Sequence, residues 1–329
     1  MSDARPPVLP RLAWLDLFRG ACVVGMIETH VLNTFLAGSF REMPWFGWLT
    51  YFDGLIAPAF LFIAGYAQGL GMRQADGVRR GMGKKVRRLG EVWLLGYALH
   101  FPAPQLFAGQ WREAVRIGTQ VDVLPCLAVS LAVLLAGEYW ARRGVDSLAK
   151  ILGALAVFAT PWAAGWRFEP DWLRAYFNAS TGSLFPLLPW AGFVCAGFLA
   201  SAAVRWFSWE SLLNFALLAV FALLLPGAPG FFAQRLLWLL VAVPLVQWIA
   251  ARWQPAWLLF IGRESLVIYA AHLLLIELLA AVTLRRGGYG PAECVLIFAV
   301  VLGVSLPIAG LWGRARRAGR RRENSAPVT

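Results

Sequence analysis

The chain has 329 residues, of which 59% are hydrophobic and only 15% are charged, and its mean hydropathy is +0.62. A composition this apolar excludes the set of soluble domains that the length alone would suggest. It indicates an integral membrane protein instead. The net charge of +12 does not point to a nucleic-acid partner, because in such a protein the cations mainly mark the loops.

Apolar runs of about 20 residues, the length of a helix that crosses a bilayer, recur along the whole chain. Short polar breaks, or Pro and Gly residues, separate them. We therefore predict an all-α polytopic membrane protein with about ten transmembrane helices, forming a single integral membrane domain over residues 1–329. The predicted spans are 13–36, 52–72, 88–107, 121–140, 148–166, 184–204, 209–226, 232–250, 263–284 and 292–312.

Lys and Arg are unevenly distributed between the two sides of the predicted bundle. If both termini lie on one side, that side holds 22 of the 30 cations, including seven from Arg73 to Arg88 and six from Arg314 to Arg322. Loops rich in Lys and Arg stay in the cytoplasm, so both termini are expected there, including a basic tail over about 313–329. The Arg73–Arg88 segment is also expected to contact anionic membrane lipids.

The first predicted span carries ionisable side chains among its apolar residues. Polar groups at that depth are costly and usually serve a function. At 1.5 Å of rise per residue, Arg19 and His30 lie on one face of the helix and about 16 Å apart along its axis. Asp16 precedes Arg19 by three residues and can form a purely structural ion pair with it. Glu28 is two residues from His30 and so points to another side, which argues against a Glu–His dyad in this segment.

The three histidines, at positions 30, 100 and 272, each lie in or near a predicted span. No two of them have the close spacing of metal ligands, so we predict no metal site. The four cysteines are single residues in apolar runs, which indicates small buried side chains. His100 stands beside Phe101 and Pro102 at a helix end, where a neutral, hydrogen-bonded or interfacial histidine is the simpler interpretation.

Small residues and prolines in the spans indicate packing rather than chemistry. Gly65 and Gly69 are four residues apart in the second span, which predicts the close approach of a neighbouring helix. Pro58, Pro186 and Pro189 are expected to bend their helices and to free carbonyl groups toward the interior.

Five short segments, taken in order, resemble the transmembrane acyltransferase superfamily. The chain is most similar to the bacterial relatives of the heparan-α-glucosaminide N-acetyltransferase catalytic region. None of the segments is specific alone, and the resemblance rests on their order over nearly the whole chain. They are Leu-Asp-Leu-Phe-Arg-Gly at 15–20 with a histidine eleven residues after the arginine, the segment 53–65, Val-Asp-Val-Leu at 121–124, Phe-Pro-Leu-Leu-Pro-Trp at 185–190, and the segment 262–272.

This resemblance implies an enzyme that takes an acyl group, generally acetyl, from cytoplasmic acyl-CoA and passes it to a hydroxyl or amino group of a sugar or glycan on the far side of the membrane. It also implies a multi-pass protein of the bacterial inner membrane. His30 would be the base that deprotonates the acceptor, or the nucleophile that carries the acyl group. Arg19 would bind a phosphate of coenzyme A through its forked donors, with Asp16 orienting it.

Other polar residues of these segments have two interpretations each. Asp53 would contact the acceptor or fix the tautomer of the imidazole, or else it caps the second helix. For Asp122 a cap of the fourth helix is the simpler interpretation. Ser265, Tyr269 and His272 share one helix face. They would line the acyl channel, although hydrogen bonding between helices explains them more simply.

The chain departs from the animal-type heparan enzymes, which have an amide residue near the position of His30 and use a histidine in the loop that follows. Here the segment 40–52 contains no histidine, so catalytic duty falls on His30. No long extracytoplasmic insertion suited to a large glycan is evident, so the identity of the acceptor stays open.

A transporter or flippase without acyl transfer is the alternative function. Proteins of that class also combine interrupted helices with buried charges near the midplane of the membrane. The internal similarity between two halves that many of them show is not evident here, which favours the acyltransferase.

Overall fold

The structure is a computed structural model that describes residues 12–74, 81–140, 144–202, 220, 224–283 and 285–325. Within these ranges the protein is all-helical without any β-strand, and one isolated bridge joins Leu36 to Tyr289. Five helical segments are long and apolar enough to cross a membrane, as expected of an integral, multi-pass membrane protein. They are Pro44–Met72, Val123–Trp140, Gly227–Ala250, Ser265–Thr283 and Pro291–Ala318.

The first part of the chain forms the helices α1 to α7. The longest is α1 (Ala13–Phe35), whose apolar sequence is interrupted by Asp16, Arg19 and Glu28. The others are α2 (Gly38–Arg41), α3 (Pro44–Asp53), α4 (Ile56–Gln74), α5 (Met82–Leu99), α6 (Ala103–Phe107) and α7 (Trp111–Gly118).

The remaining described residues form α8 to α16 and one short 3-10 helix, Ala179–Thr181. Most of the long apolar helices lie in this part of the chain. The helices are α8 (Val123–Trp140), α9 (Val145–Phe158), α10 (Thr160–Ala163), α11 (Asp171–Arg174), α12 (Leu187–Ala200), α13 (Gly227–Ala250), α14 (Ala256–Arg263), α15 (Ser265–Thr283) and α16 (Pro291–Ser325).

Most predicted spans coincide with helices. Two are divided, because Pro102 and Pro104 separate α5 from α6, and Pro161 lies in the first turn of the short α10. The second span begins earlier than predicted, at Pro44, and has a break after Asp53. The spans that coincide with a single principal helix are 13–36, 121–140, 184–204, 232–250, 263–284 and 292–312.

The predicted span 209–226 lies almost entirely outside the described residues. The number of ten transmembrane helices and the cytoplasmic location of both termini therefore stay predictions.

α4 and α12 pack at backbone distance, as the spacing of Gly65 and Gly69 predicts. A Cβ atom at Gly65 would lie 2.0 Å from the carbonyl oxygen of Val194, and one at Gly197 on α12 would lie 1.9 Å from that of Phe62. No side chain fits at either position. Small residues that let backbones approach are a common basis of helix association in lipid.

α1 packs against α14 in the same way. A Cβ atom at Gly20 would lie 2.3 Å from the carbonyl oxygen of Leu258, and one at Gly262 would lie 1.9 Å from that of Asp16. The two glycines thus hold the beginning of α1, where Asp16 is buried, against the backbone of α14.

The opposite end of α1 is held by the loop that follows α15. The backbone N–H groups of Gly287 and Tyr289 donate to the carbonyl groups of Thr34 and Phe35 at the end of α1. Since α15 follows directly on α14, α1 and α15 run side by side in the same direction and contact each other. Their relative register is therefore fixed at both ends.

Substituting Gly262 by alanine tests the contact between α1 and α14. The added methyl group has no space beside Asp16, and overpacking of this kind costs typically about 1–3 kcal/mol. We expect Gly262→Ala to lower the melting temperature of the purified protein. Gly310→Ala is the matched control, because its Cβ atom would meet nothing within 4 Å; equal melting temperatures for both variants would contradict the contact.

Candidate active site

Two histidine rings from different helices lie side by side in the interior of the bundle. The ring centroids of His30 on α1 and His272 on α15 are 5.4 Å apart, and the ring planes are inclined by 40°. His272 is fully buried and His30 is partly buried. Ionisable side chains at this depth are rare and usually functional, so the pair is the first candidate for chemistry.

The hydrogen bonding of His272 determines which ring nitrogen is available. Its Nδ1 lies 3.0 Å from the carbonyl oxygen of Ile268, and a carbonyl oxygen can only accept, so Nδ1 carries a proton. In the neutral ring Nε2 then keeps its lone pair. This Nε2 is buried and has no hydrogen-bond partner among the described residues. It is an acceptor that a substrate proton can use.

Tyr269 connects the histidine pair to a second polar group. Its ring packs edge-on against that of His272, with 5.3 Å between the centroids, and its hydroxyl donates to Oδ2 of Asp122 at 3.0 Å. The same Oδ2 lies 3.6 Å from Nε2 of His100, whose Nδ1 is 3.1 Å from the carbonyl oxygen of Gly96. The three histidines of the chain thus converge where α1, α5, α8 and α15 meet.

The side chains that converge here are not as closely grouped as the ligands of one metal ion. Among the residues that the structure describes, no three His, Cys, Asp or Glu side chains are grouped closely enough to hold an ion. The Nδ1 atoms of His100 and His272 both face backbone carbonyl groups.

The arrangement changes the interpretation of Asp122 and His100. Asp122 directly precedes α8, as a cap would, but its carboxylate binds Tyr269, which is 147 residues away in the sequence. His100 lies at a helix end as predicted, with this carboxylate beside it. The sequence analysis missed both contacts, because the partners come from different helices. The one local signal was a polar residue at the edge of an apolar run.

Asp53 lies against α1, but its partner is Glu28. It is the last residue of α3 and so does not cap α4, which begins at Ile56. Its carboxyl group lies near that of Glu28. Glu28 thus faces Asp53 rather than His30, as its position two residues before His30 suggests, and the structure describes no hydrogen bond between Asp53 and His30.

Arg235 on α13 is a candidate that the sequence analysis did not single out. It is only 8% exposed, and its Nη1 donates to the carbonyl oxygen of Tyr51 at 2.9 Å. The guanidinium lies 4.6 Å from the ring centroid of Tyr51 and 5.5 Å from that of Phe231, and such contacts stabilise a desolvated cation. Because Tyr51 is two residues before Asp53, Arg235 packs against the helix that carries this carboxyl group. The feature of the sequence that could have identified Arg235 is a charged residue within an apolar run.

The predicted coenzyme-binding residues lie near the beginning of α1, away from the histidines. Nη1 of Arg19 is 3.9 Å from Oδ1 of Asp16, so these residues form the predicted ion pair. The side chain of Asp16 is buried. Ser265 is the first residue of α15, so it lies toward this same end. Tyr269 and His272 continue its face of α15 toward His30.

Comparison with protein families adds the deciding observation. The family described as heparan-alpha-glucosaminide N-acetyltransferase, catalytic, matches residues 11–227. The chain belongs to this family. A comparison with curated proteins finds no match. The resemblance deduced from the sequence motifs is therefore confirmed at the level of the family.

The heparan-alpha-glucosaminide N-acetyltransferase family is of the N-acetyltransferase type, so the chain belongs to a family of acyltransferases and has helices suited to a membrane. The matched range contains Arg19, His30, Asp53 and Asp122. Ser265, Tyr269 and His272 lie beyond it. The fold brings His272 from outside the family match into contact with His30 inside it.

A double-mutant cycle tests the link between Tyr269 and Asp122. Tyr269→Phe removes the donor and Asp122→Asn weakens the acceptor, so each change is expected to destabilise the protein. A hydrogen bond to a charged group contributes about 1.5–3 kcal/mol, and the two effects should be strongly non-additive. The measurement is the unfolding free energy of the three variants in detergent. Tyr97→Phe is the control, because it removes a hydroxyl that is bonded to Tyr176 instead; its effect should add to that of Asp122→Asn. Additive effects of Asp122→Asn and Tyr269→Phe would contradict the link.

Proposed function

We propose that this protein transfers an acyl group, most simply acetyl, from cytoplasmic acyl-CoA to a hydroxyl or amino group of a sugar or glycan on the far side of the membrane. The observation that carries the proposal is the contact between His30 and His272, whose Nε2 is buried and free to accept a proton. Family membership supplies the reaction class. The cellular location we propose is the bacterial inner membrane.

We propose that residues 1–329 form one domain with ten transmembrane helices and with both termini in the cytoplasm. The position of the basic C-terminal helix supports it. Nη2 of Arg316 on α16 donates to the two carboxylate oxygens of Glu264 at 2.9 and 3.1 Å. Glu264 follows Gly262, which contacts Asp16, so the last part of α16 and the beginning of α1 lie at the same end of the bundle.

Two imidazoles allow the reaction to follow either of two routes. In direct transfer, His30 takes the proton of the acceptor, the acceptor oxygen or nitrogen attacks the thioester carbon, and the C–S bond breaks. The imidazole then returns the proton to the thiolate. In the covalent route, one nitrogen of the neutral His30 ring attacks the thioester carbon, the C–S bond breaks, and the N–H proton of the same ring goes to the leaving thiolate. The acceptor next attacks the acyl-imidazole and gives its proton to Nε2 of His272, which passes it to the departing His30 ring.

The donor is expected to extend along α1. Arg19 and Asp16 mark the end at which the phosphates of the coenzyme would bind, and His30 lies about 16 Å further along the helix axis. This distance suits the pantetheine arm, which separates the phosphates from the thioester. α15 runs beside α1, so Ser265, Tyr269 and His272 would line the same route.

The carboxyl groups of Glu28 and Asp53 are the proposed contacts of the acceptor. They lie at the level of α1 that carries His30, and carboxyl oxygens suit the hydroxyl and amino groups of a sugar. Arg235 and the ring of Tyr51 adjoin them. This group provides both hydrogen-bonding and aromatic surfaces for a carbohydrate.

Removal of either imidazole tests the catalytic pair. We expect His30→Ala and His272→Ala each to lower the rate of acetyl transfer by about 10²–10⁴-fold, the usual contribution of a general base. Acetyl transfer is measured with labelled acetyl-CoA and a panel of amino and hydroxyl sugars, using protein in vesicles. Asn33→Ala, at an exposed position of α1, is the control.

Wild-type rates in both histidine variants would contradict the assignment. Counterflow of an unmodified solute without acetyl transfer would show a transporter instead. Recovery of an acyl group on a peptide that contains His30 after rapid quenching would select the covalent route, and its absence during turnover would select direct transfer.

Substitution of Arg19 tests the coenzyme end of the site. If Arg19 binds the 3′-phosphate of coenzyme A, Arg19→Gln weakens binding of acetyl-CoA but not that of the desphospho analogue. A charge-assisted hydrogen bond of this kind corresponds to about 10- to 100-fold in affinity. Arg19→Lys keeps the positive charge but loses the bidentate donor geometry of the guanidinium, so it should weaken binding of acetyl-CoA by an intermediate amount. Equal losses for both ligands would assign another phosphate to Arg19, and no loss would give it a structural role.

A further inference from the structure

A groove outside the candidate active site lies between α5 and α8 and has a volume of about 460 Å³. It extends from Met82 to Trp93 on α5 and from Ala128 to Trp140 on α8. Its floor contains buried small and aliphatic side chains such as Ala128, and its rim is exposed, with Trp140 at 83% exposure. The groove therefore opens toward the surroundings of the bundle, beside α8, which is long and apolar enough to cross a membrane.

The length of the groove corresponds to one leaflet of a bilayer. Trp93 is eleven residues after Met82, a rise of about 16 Å along α5. The hydrocarbon core of a bilayer is about 30 Å thick, so each leaflet contributes about half of that depth. A groove that follows a helix over this distance and no further fits a single acyl chain entering from one side.

Positive charge is concentrated at one end of the groove. The first two turns of α5 carry Lys84, Lys85, Arg87 and Arg88; Lys84, Arg87 and Arg88 are exposed and Lys85 is partly buried. On the helix, Lys85 and Arg87 lie on either side of Val86, which lines the groove. Lys85 and Arg87 form ion pairs with Glu138 and Glu91, at 3.6 and 3.2 Å, so the four cations together with these two acids keep a net charge of +2 at this end of the groove.

Aromatic side chains mark the same end as the membrane interface. Tyr139 and Trp140, at the end of α8, are exposed and line the groove beside the beginning of α5. Tyr and Trp concentrate at the level of the lipid head groups. The cations thus lie at the depth of the phosphate groups, and the apolar part of the groove lies at the depth of the acyl chains.

We propose that this groove is a binding site for an anionic phospholipid, with one acyl chain between α5 and α8 and the head-group phosphate at Lys85 and Arg87. A second copy of this chain could also cover the groove, but it would explain neither why the groove has the length of one leaflet nor why positive charge lies at only one end. His100 directly follows α5 and Asp122 directly precedes α8, so the lipid would stabilise the two helices that position these residues. The proposal is independent of acyl transfer.

The experiment measures how the intact protein retains spin-labelled lipids in phosphatidylcholine vesicles. The immobilised fraction is read by electron paramagnetic resonance for labelled phosphatidylglycerol and for labelled phosphatidylcholine. The wild-type protein is expected to immobilise more phosphatidylglycerol. Gly90→Leu, at a position where a Cβ atom meets nothing within 4 Å, fills the groove and should remove most of that excess. Gly303→Leu on α16, equally open, should leave it unchanged.

The charged end is tested separately. Arg87→Gln should lower the preference for phosphatidylglycerol over phosphatidylcholine by up to about fivefold, the equivalent of one charge near a membrane surface. Arg286→Gln, which also breaks an exposed ion pair, is the control. Ala132→Leu, on the α8 side of the groove, repeats the filling test if Gly90→Leu fails to fold.

Equal retention of the two lipids by the wild-type protein would overturn the proposal. So would an unchanged excess in both groove-filling variants. A change of oligomeric state in those variants with no change in lipid retention would assign the groove to a second copy instead.

Discussion

The register between α1 and α15 is the constraint on which the candidate site depends. Gly20 and Gly262 bring the backbones of α1 and α14 together at one end, and backbone hydrogen bonds from the loop after α15 hold the last turn of α1 at the other. Only with both ends fixed does His30 face His272. Side chains at these glycines would separate the helices, so the placement of two imidazoles rests on residues that have no chemistry of their own.

Within that frame, polar side chains from separate helices are brought together around the two imidazoles. Asp122 accepts a hydrogen bond from Tyr269 and lies beside His100, while the carboxyl groups of Glu28 and Asp53 lie near each other. Nε2 of His272 has no partner among the described residues. In an apolar medium an unpaired acceptor is costly, which is why this atom, together with the adjoining ring of His30, marks the position proposed for the reaction.

The parts of this account that the sequence predicts are those set by neighbouring residues. Apolar runs determine α1, α8, α13, α15 and α16, and the ion pair of Asp16 with Arg19 follows from a spacing of three residues. The contacts of Asp53 with Glu28, Tyr269 with Asp122, and His272 with His30 join residues from separate helices, and no local pattern specifies them. The family resemblance named several of these residues as candidates but not their partners, because partners depend on how the helices pack.

The most direct test of the central claim is a structure of the protein with a non-reactive acetyl-CoA analogue bound. The account predicts the phosphates at Arg19, the pantetheine arm between α1 and α15, and the acyl carbon in contact with the His30 ring, with Nε2 of His272 facing the acceptor side. An acyl carbon far from both imidazoles, or an analogue bound with no contact to α1, would contradict it.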